Sequence, residues 1–98
     1  MVKHMIIWKF KDELEEKEAR AKDIKAALEG LAGKIDGLVE MHILTERYEC
    51  SSGDLMMDST FENKEALDLY QSHPLHKEIA NGLVRPSMQE RLSFDFEV

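Results

Sequence analysis

Cysteine is almost absent: Cys50 stands alone among 98 residues, so no disulfide can form within the chain. A lone thiol suits a reducing compartment, and the expected setting is the cytoplasm. Long apolar runs are missing too. The run at 5–8, the longest near the start, is too short for a signal-peptide core or a membrane span. Basic residues are in short supply, 13 against 20 acidic ones, for a net charge of −7. That balance repels phosphate backbones and anionic lipid, so neither nucleic acid nor a membrane surface is an expected partner. Proline occurs only at Pro74 and Pro86, and no repeat, low-complexity tract or linker interrupts the chain.

What is present is ordinary for a globular protein: 43% hydrophobic and 34% charged residues, enough for a small core. Residues 1–98 are expected to form one domain. Over residues 2–11, His4, Ile6, Trp8 and Phe10 alternate with Lys3, Met5, Ile7, Lys9 and Lys11, the period of a strand. Over 12–34 the pattern changes. Ile24, Ala27, Leu28, Leu31 and Ile35 recur at helical steps, and Gly30, Gly33 and Gly37 weaken and then end the helix.

A second strand is expected at 38–45, with Val39, Met41 and Ile43 opposite Leu38, His42 and Leu44. Residues 46–53 are polar and read as a loop. In the third strand, at 54–61, Leu55, Met57 and Phe61 share a face. A second helix follows Glu62 and Asn63 and runs through Tyr70. Pro74 breaks it, biasing His73 toward extended backbone and starting a new short helix, which Gly82 and Pro86 close. A fourth strand is expected at 88–98, where Leu92, Phe94, Phe96 and Val98 alternate with Arg91, Ser93, Asp95 and Glu97.

The order βαββαβ makes this an α+β chain of ferredoxin-like type: a four-stranded antiparallel sheet with both helices on one face. The first two strands carry apolar residues on both faces, although a face open to water should look polar. A second copy of the same sheet is the simplest cover, through a two-fold contact, and a homodimer is expected. The polar positions of the last strand weigh against this without cancelling it. Trp8, Phe10, Met57, Phe61, Phe94 and Phe96 read first as core.

Three segments resemble the stress-responsive α/β-barrel family, the Dabb domain. They are the opening Val2-Lys3-His4-Met5-Ile6-Ile7-Trp8-Lys9-Phe10-Lys11-Asp12-Glu13, the centre Tyr70-Gln71-Ser72-His73-Pro74-Leu75-His76, and the ending Phe94-Asp95-Phe96. The central stretch is similar to the family's Tyr-x-x-His-Pro-x-His. The resemblance implies a dimeric α/β barrel. Many members have no assigned activity, while a plant group includes a polyketide cyclase. By that likeness His76 and Tyr70 would serve catalysis and His4 would line the pocket. A further pocket tyrosine on the first helix is absent here, where the stretch reads Ile24-Lys25-Ala26-Ala27.

Chemistry supports the same candidates. A histidine such as His76 exchanges protons near neutral pH, and the Tyr70 hydroxyl can stabilise a developing enolate oxygen. The pair would suit proton abstraction beside a carbonyl followed by ring closure. Equally, both could be packing and capping residues of a bent helix. His4 could be a satisfied core residue or a pocket wall, and Trp8 would line the pocket and narrow it. His73, a candidate substrate contact, is as readily a hydrogen-bonding group at the helix break. No metal is expected, because Pro74 disturbs the His73–His76 spacing and no acidic or cysteine ligand sits nearby; no cofactor is expected either.

Two functions follow. One is a dimeric module binding a small aromatic or polyketide-like molecule between sheet and helices. The other is a cofactor-independent cyclase, lyase or monooxygenase-like enzyme using His76 and Tyr70. Cys50 reads as a loop thiol with no part in either.

Overall fold

The computed structural model describes residues 1–98. Its elements are β1 (Val2–Phe10), α1 (Lys17–Glu29), β2 (Leu38–Leu44), β3 (Leu55–Phe61), α2 (Lys64–Ser72), α3 (Pro74–Ile79) and β4 (Met88–Glu97). The four strands form one antiparallel sheet in the order β2-β3-β1-β4. This is the ferredoxin-like arrangement, and the helices pack on one face only.

Alternation in β1 sets where the core lies. Val2, His4, Ile6, Trp8 and Phe10 are buried against the helices, whereas Ile7 on the opposite face is 47% exposed. From α1, Ile24 and Leu28 pack onto them; from β3, Leu55, Met57 and Phe61; from α2, Leu67 and Tyr70. Burying a side chain such as Ile24 or Phe61 this completely stabilises the fold by about 1.5–3 kcal/mol each. α1 is also tied to the edge strand β2. The Glu29 carboxylate accepts from the Ile43 N–H at 2.9 Å and from Lys25 Nζ at 2.8 Å. Burial pushes the Glu29 carboxyl up, but these bonds outweigh it and hold the group below its ordinary range.

The helical pattern expected over 12–34 is helical only from Lys17 to Glu29. The chain leaving β1 must first reverse direction. It does so through a turn closed by Leu14 N–H to the Lys11 carbonyl at 3.1 Å, with Leu14 packed on the core and Glu16 in the left-handed region at φ 56°. Beyond Gly30 the apolar rhythm continues through turns, so Leu31 and Ile35 stay buried without a helix. Gly37 needs to be glycine: its φ is +85°, and a Cβ there would lie 2.5 Å from the Ala66 Cβ of α2.

β2 departs from simple alternation. Leu38 pairs with Phe61 and Glu40 with Thr60, so Val39 is an extra residue, a bulge. Leu38 therefore shares the buried face with Met41 and Ile43, and Val39 is 41% exposed rather than beside them. After α3 the backbone does not stop at Gly82. It widens into a π turn over Ala80–Val84 and tightens into a 3-10 turn over Arg85–Ser87. Pro86 sits near the start of that last turn, where its missing N–H costs nothing.

The largest correction concerns β4. Phe94 and Phe96 are not core: they are 71% and 39% exposed, and Leu92 is 71% exposed. Register gives the reason, since directly opposed residues share a sheet face. Leu92 pairs with Ile7, Phe94 with Met5 and Phe96 with Lys3, all on the face away from the helices. Arg91, Ser93 and Asp95, which pair with Trp8, Ile6 and His4, fall on the helix side. The open face thus carries a row Leu44, Met56, Ile7 and Leu92 across all four strands. It is more apolar than the sequence indicates.

Candidate functional site

A polar line crosses the otherwise apolar inner face of the sheet, because His4 of β1 pairs with Ser59 on one side and Asp95 on the other. His4 is 2% exposed and Ser59 is fully buried. Ser59 Oγ donates to the His4 carbonyl at 2.6 Å, which satisfies the serine. The His4 Nδ1–H donates to the Asp95 carboxylate. That bond orients the imidazole and leaves Nε2 as its free nitrogen.

From His4 a chain of rings leads up to the helices. His4 meets Phe61 edge-on with centroids 6.3 Å apart; Phe61 tilts against Tyr70 at 4.9 Å; Tyr70 lies against His76 at 4.2 Å. Local structure positions the last two. Asn63 caps α2 by accepting from the Ala66 N–H at 2.8 Å, and Tyr70 comes from that helix's buried side. The break at Pro74 then turns α3 so that His76 returns over Tyr70. His73 makes the break: its backbone is extended (φ −67°, ψ 134°) and its Nδ1 accepts from the Leu75 N–H at 3.1 Å. That bond commits one nitrogen of its ring to the cap, and His73 does not line the cavity described next.

Between sheet and helices lies a cavity of about 250 Å³. Its sheet wall includes His4, Ile6, Trp8 and Met57, and His76, Leu28 and Val84 face them from the helical side. Arg85 and Arg91 stand at its rim. Pockets for drug-sized ligands run from about 300 to 1,000 Å³, so this one suits a smaller molecule. Trp8 is the bulkiest residue of the sheet wall.

Tyr70 and His76 are chemically matched. Burial pushes the Tyr70 phenol above its usual range, against a smaller opposing effect of the Arg91 charge. The phenol thus stays protonated, a donor. Its Oη is buried and has no hydrogen-bond partner in the protein. Burial pulls the His76 imidazole below its ordinary value; the Gln71 carbonyl works against this, and the charges of His4, Arg85 and Arg91 add to it. Since a carbonyl only accepts, His76 Nδ1 carries the proton toward Gln71 O at 3.3 Å, and Nε2 is left as the basic nitrogen. A neutral base beside a protonated phenol is an arrangement for moving a proton.

The depressed His76 value has a consequence for stability. Folded His76 stays neutral at a pH where the unfolded chain, titrating near 6.5, already binds a proton. Stability should therefore fall as pH drops from 7 through 6.5 toward the folded value. Denaturant melts of His76→Gln are expected to show a shallower fall across that interval than the unmodified chain. An identical slope would show that His76 titrates normally.

Of the residues marked in the sequence, His4, Trp8 and His76 line the cavity; Tyr70 reaches it only through its ring contact with His76, and His73 is not part of the lining. Ser59, Gln71, Asp95, Arg85 and Arg91 belong to the same neighbourhood and do not stand out as candidates in the sequence, although Gln71 and Asp95 lie within the segments that carry the family resemblance. Arg91 is legible only as a polar beat of an alternating strand, and Asp95 as such a beat within the closing Phe94-Asp95-Phe96 segment. No group of three or more His, Cys, Asp or Glu side chains is placed to hold a metal ion, and no helix is long and apolar enough to cross a membrane.

Known proteins place these features in context. A dimeric ferredoxin-like protein of unknown function from Jannaschia sp. CCS1 is 31% identical, with a TM-score of 0.81 over 99% of this chain and 98% of that one. A dimeric protein of unknown function from Bacteroides fragilis is 25% identical, with a TM-score of 0.89 over 99% of this chain and 95% of that one. A hydroxynitrile lyase from Passiflora edulis has a TM-score of 0.81 over 99% of this chain and 92% of that one, but at 17% identity it shares the fold alone. No curated protein matches the chain by sequence. The model of the Stress responsive A/B Barrel Domain, Dabb, matches residues 2–98, and the chain belongs to that family.

Proposed function

We propose that this protein is a homodimer whose protomers each bind a small molecule in the cavity between sheet and helices. One observation carries the binding reading: a desolvated His76 imidazole and a His4 oriented by Asp95 line one cavity, and the buried, unpartnered Tyr70 phenol packs directly behind His76. Unsatisfied buried polar atoms are rare in native folds and call for a reason; a ligand oxygen that accepts from Tyr70 is such a reason. The dimer reading stands on the exposed apolar sheet face and on the dimeric neighbours. A reducing cytoplasm suits the exposed Cys50 thiol.

The Tyr70–His76 geometry favours a second, catalytic reading. His76 Nε2 would accept a proton from a substrate carbon or hydroxyl, and Tyr70 would donate to the oxygen on which charge develops. That is lyase or cyclase chemistry and needs no cofactor. The hydroxynitrile lyase among the structural neighbours supports it as an analogy of fold.

A thermal-shift screen against small aromatic and polyketide-like compounds tests the binding reading. A ligand should raise the melting temperature of the unmodified protein and do so less in His76→Ala. A panel with no stabilising compound would leave a non-binding module. A ligand that is bound and turned over equally by His76→Ala would end the catalytic reading.

A further inference from the structure

Twenty acidic residues outnumber 13 basic ones in this chain, yet the cavity rim carries two arginines and no ion pair. Neither Arg85 nor Arg91 has a carboxylate within salt-bridge distance, although seven ion pairs form in the protein, one of them between Asp95 and the cavity's own His4. Arg85 is held by a neutral partner: its Nη1 donates to Asn81 Oδ1 at 2.8 Å, which orients the guanidinium and leaves its charge uncompensated. Arg91 makes no side-chain hydrogen bond. The nearest candidates for pairing are engaged or turned away. Asp95 accepts from His4. Glu90 contributes to the cavity edge, but it pairs with Lys9, so strand alternation sends its side chain to the opposite sheet face from Arg91.

Backbone features aim both arginines. β4 departs from regular pairing just before Arg91: Phe10 pairs with Met88 and Lys9 with Glu90, so Gln89 is the extra residue of a bulge. Bulges bend a strand and re-aim its side chains. Arg85 opens the 3-10 turn that follows the π turn over Ala80–Val84, and Ala80 and Val84 line the same cavity.

We propose that the cavity selects a small carboxylic acid, its carboxylate gripped at the rim by Arg91 with Arg85 beside it and its apolar body against Ile6, Trp8 and Met57. This rests on the small-molecule reading above and adds the charge of the ligand. A guanidinium offers a planar fork of donors that matches a carboxylate with two parallel bonds, stronger than neutral hydrogen bonds. A bare phosphate would meet the same charges but would leave the apolar wall unused. The site is also close to the chemistry: the Arg91 charge is felt by both Tyr70 and His76. An acid anchored there would present its neighbouring carbons to the proton-transfer pair.

Trp8, the only tryptophan, lines the cavity and reports occupancy by its fluorescence. The probes are benzoate, phenylacetate and cinnamate, each beside its primary amide of nearly equal shape, with inorganic phosphate as a further arm. The acids should quench Trp8 and bind about tenfold or more tightly than their amides. Arg91→Gln should cost the acids about that factor and leave the amides unchanged, and Arg85→Gln should cost less. Acids and amides binding alike, or acids binding Arg91→Gln normally, would overturn the carboxylate proposal while the cavity stands. Phosphate binding as tightly as benzoate would overturn it in favour of a bare anion site. If no probe of either charge binds at millimolar concentration, the proposal and the small-molecule reading fail together.

Discussion

The double variant Leu92→Glu, Phe94→Glu is expected to sediment as a monomer of 11.3 kDa, and the unmodified chain at twice that mass. Both residues are 71% exposed on the sheet face away from the helices. There they continue a surface made by Ile7, Met56 and Leu44. Burying each such side chain in a dimer contributes about 1.5–3 kcal/mol, and a two-fold axis counts every residue twice. Glutamates at the same places would have to lose their hydration, with four added negative charges confined to one interface. The protomer core, made by the opposite face, is untouched, so the variant should keep its far-ultraviolet circular dichroism. Phe94→Tyr, which keeps the ring, should remain dimeric. An unmodified chain that sediments at 11.3 kDa would refute the dimer.

Tyr70→Phe is expected to stabilise the fold while weakening ligand binding. The ring is 1% exposed and packed between Phe61 and His76, and phenylalanine retains all of that contact. The hydroxyl is different: it is buried without a protein partner, and a desolvated polar group left unsatisfied costs about 1–3 kcal/mol. Removing it should return much of that, visible as a higher denaturant midpoint at unchanged slope. Stability given up at one buried atom is a common mark of function. The same variant should therefore lose affinity for any ligand that accepts from Oη, and lose turnover if the catalytic reading holds. A variant that is more stable and binds as before would make Tyr70 a packing residue only. A less stable variant would mean that the hydroxyl is already satisfied.

Much of the molecule can be read without coordinates where one residue type has one physical consequence. Pro74 disfavours helical backbone at its predecessor, and His73 is extended. The β1 alternation places His4 with Ile6 and Trp8, and all three face the helices. The Tyr70-to-His76 stretch marks residues that the break brings into ring contact. Reading fails where a pattern has two solutions. In β4 the alternation is clear, but which beat faces inward depends on pairing with β1, itself apolar on both faces. Phe94 and Phe96 look like core for that reason and are not. The helical rhythm from 12 to 34 likewise does not distinguish a helix from turns that keep Leu14, Leu31 and Ile35 on the core.

The chain's own residues determined the order of elements, the face of β1 that is buried, the break at Pro74 and the histidine and tyrosine able to exchange protons. These are local matters, set by backbone sterics, side-chain period and the intrinsic chemistry of each group. Tertiary structure alone decided that Asp95 orients His4, that Tyr70 Oη is left without a partner, that His73 is consumed as a cap, and that Arg85 and Arg91 share a cavity rim. Each of these depends on register and burial across residues far apart in sequence. A hydrogen bond, a desolvated proton and an unpaired charge are properties of distances, and those distances exist only once the sheet has paired and the helices have packed.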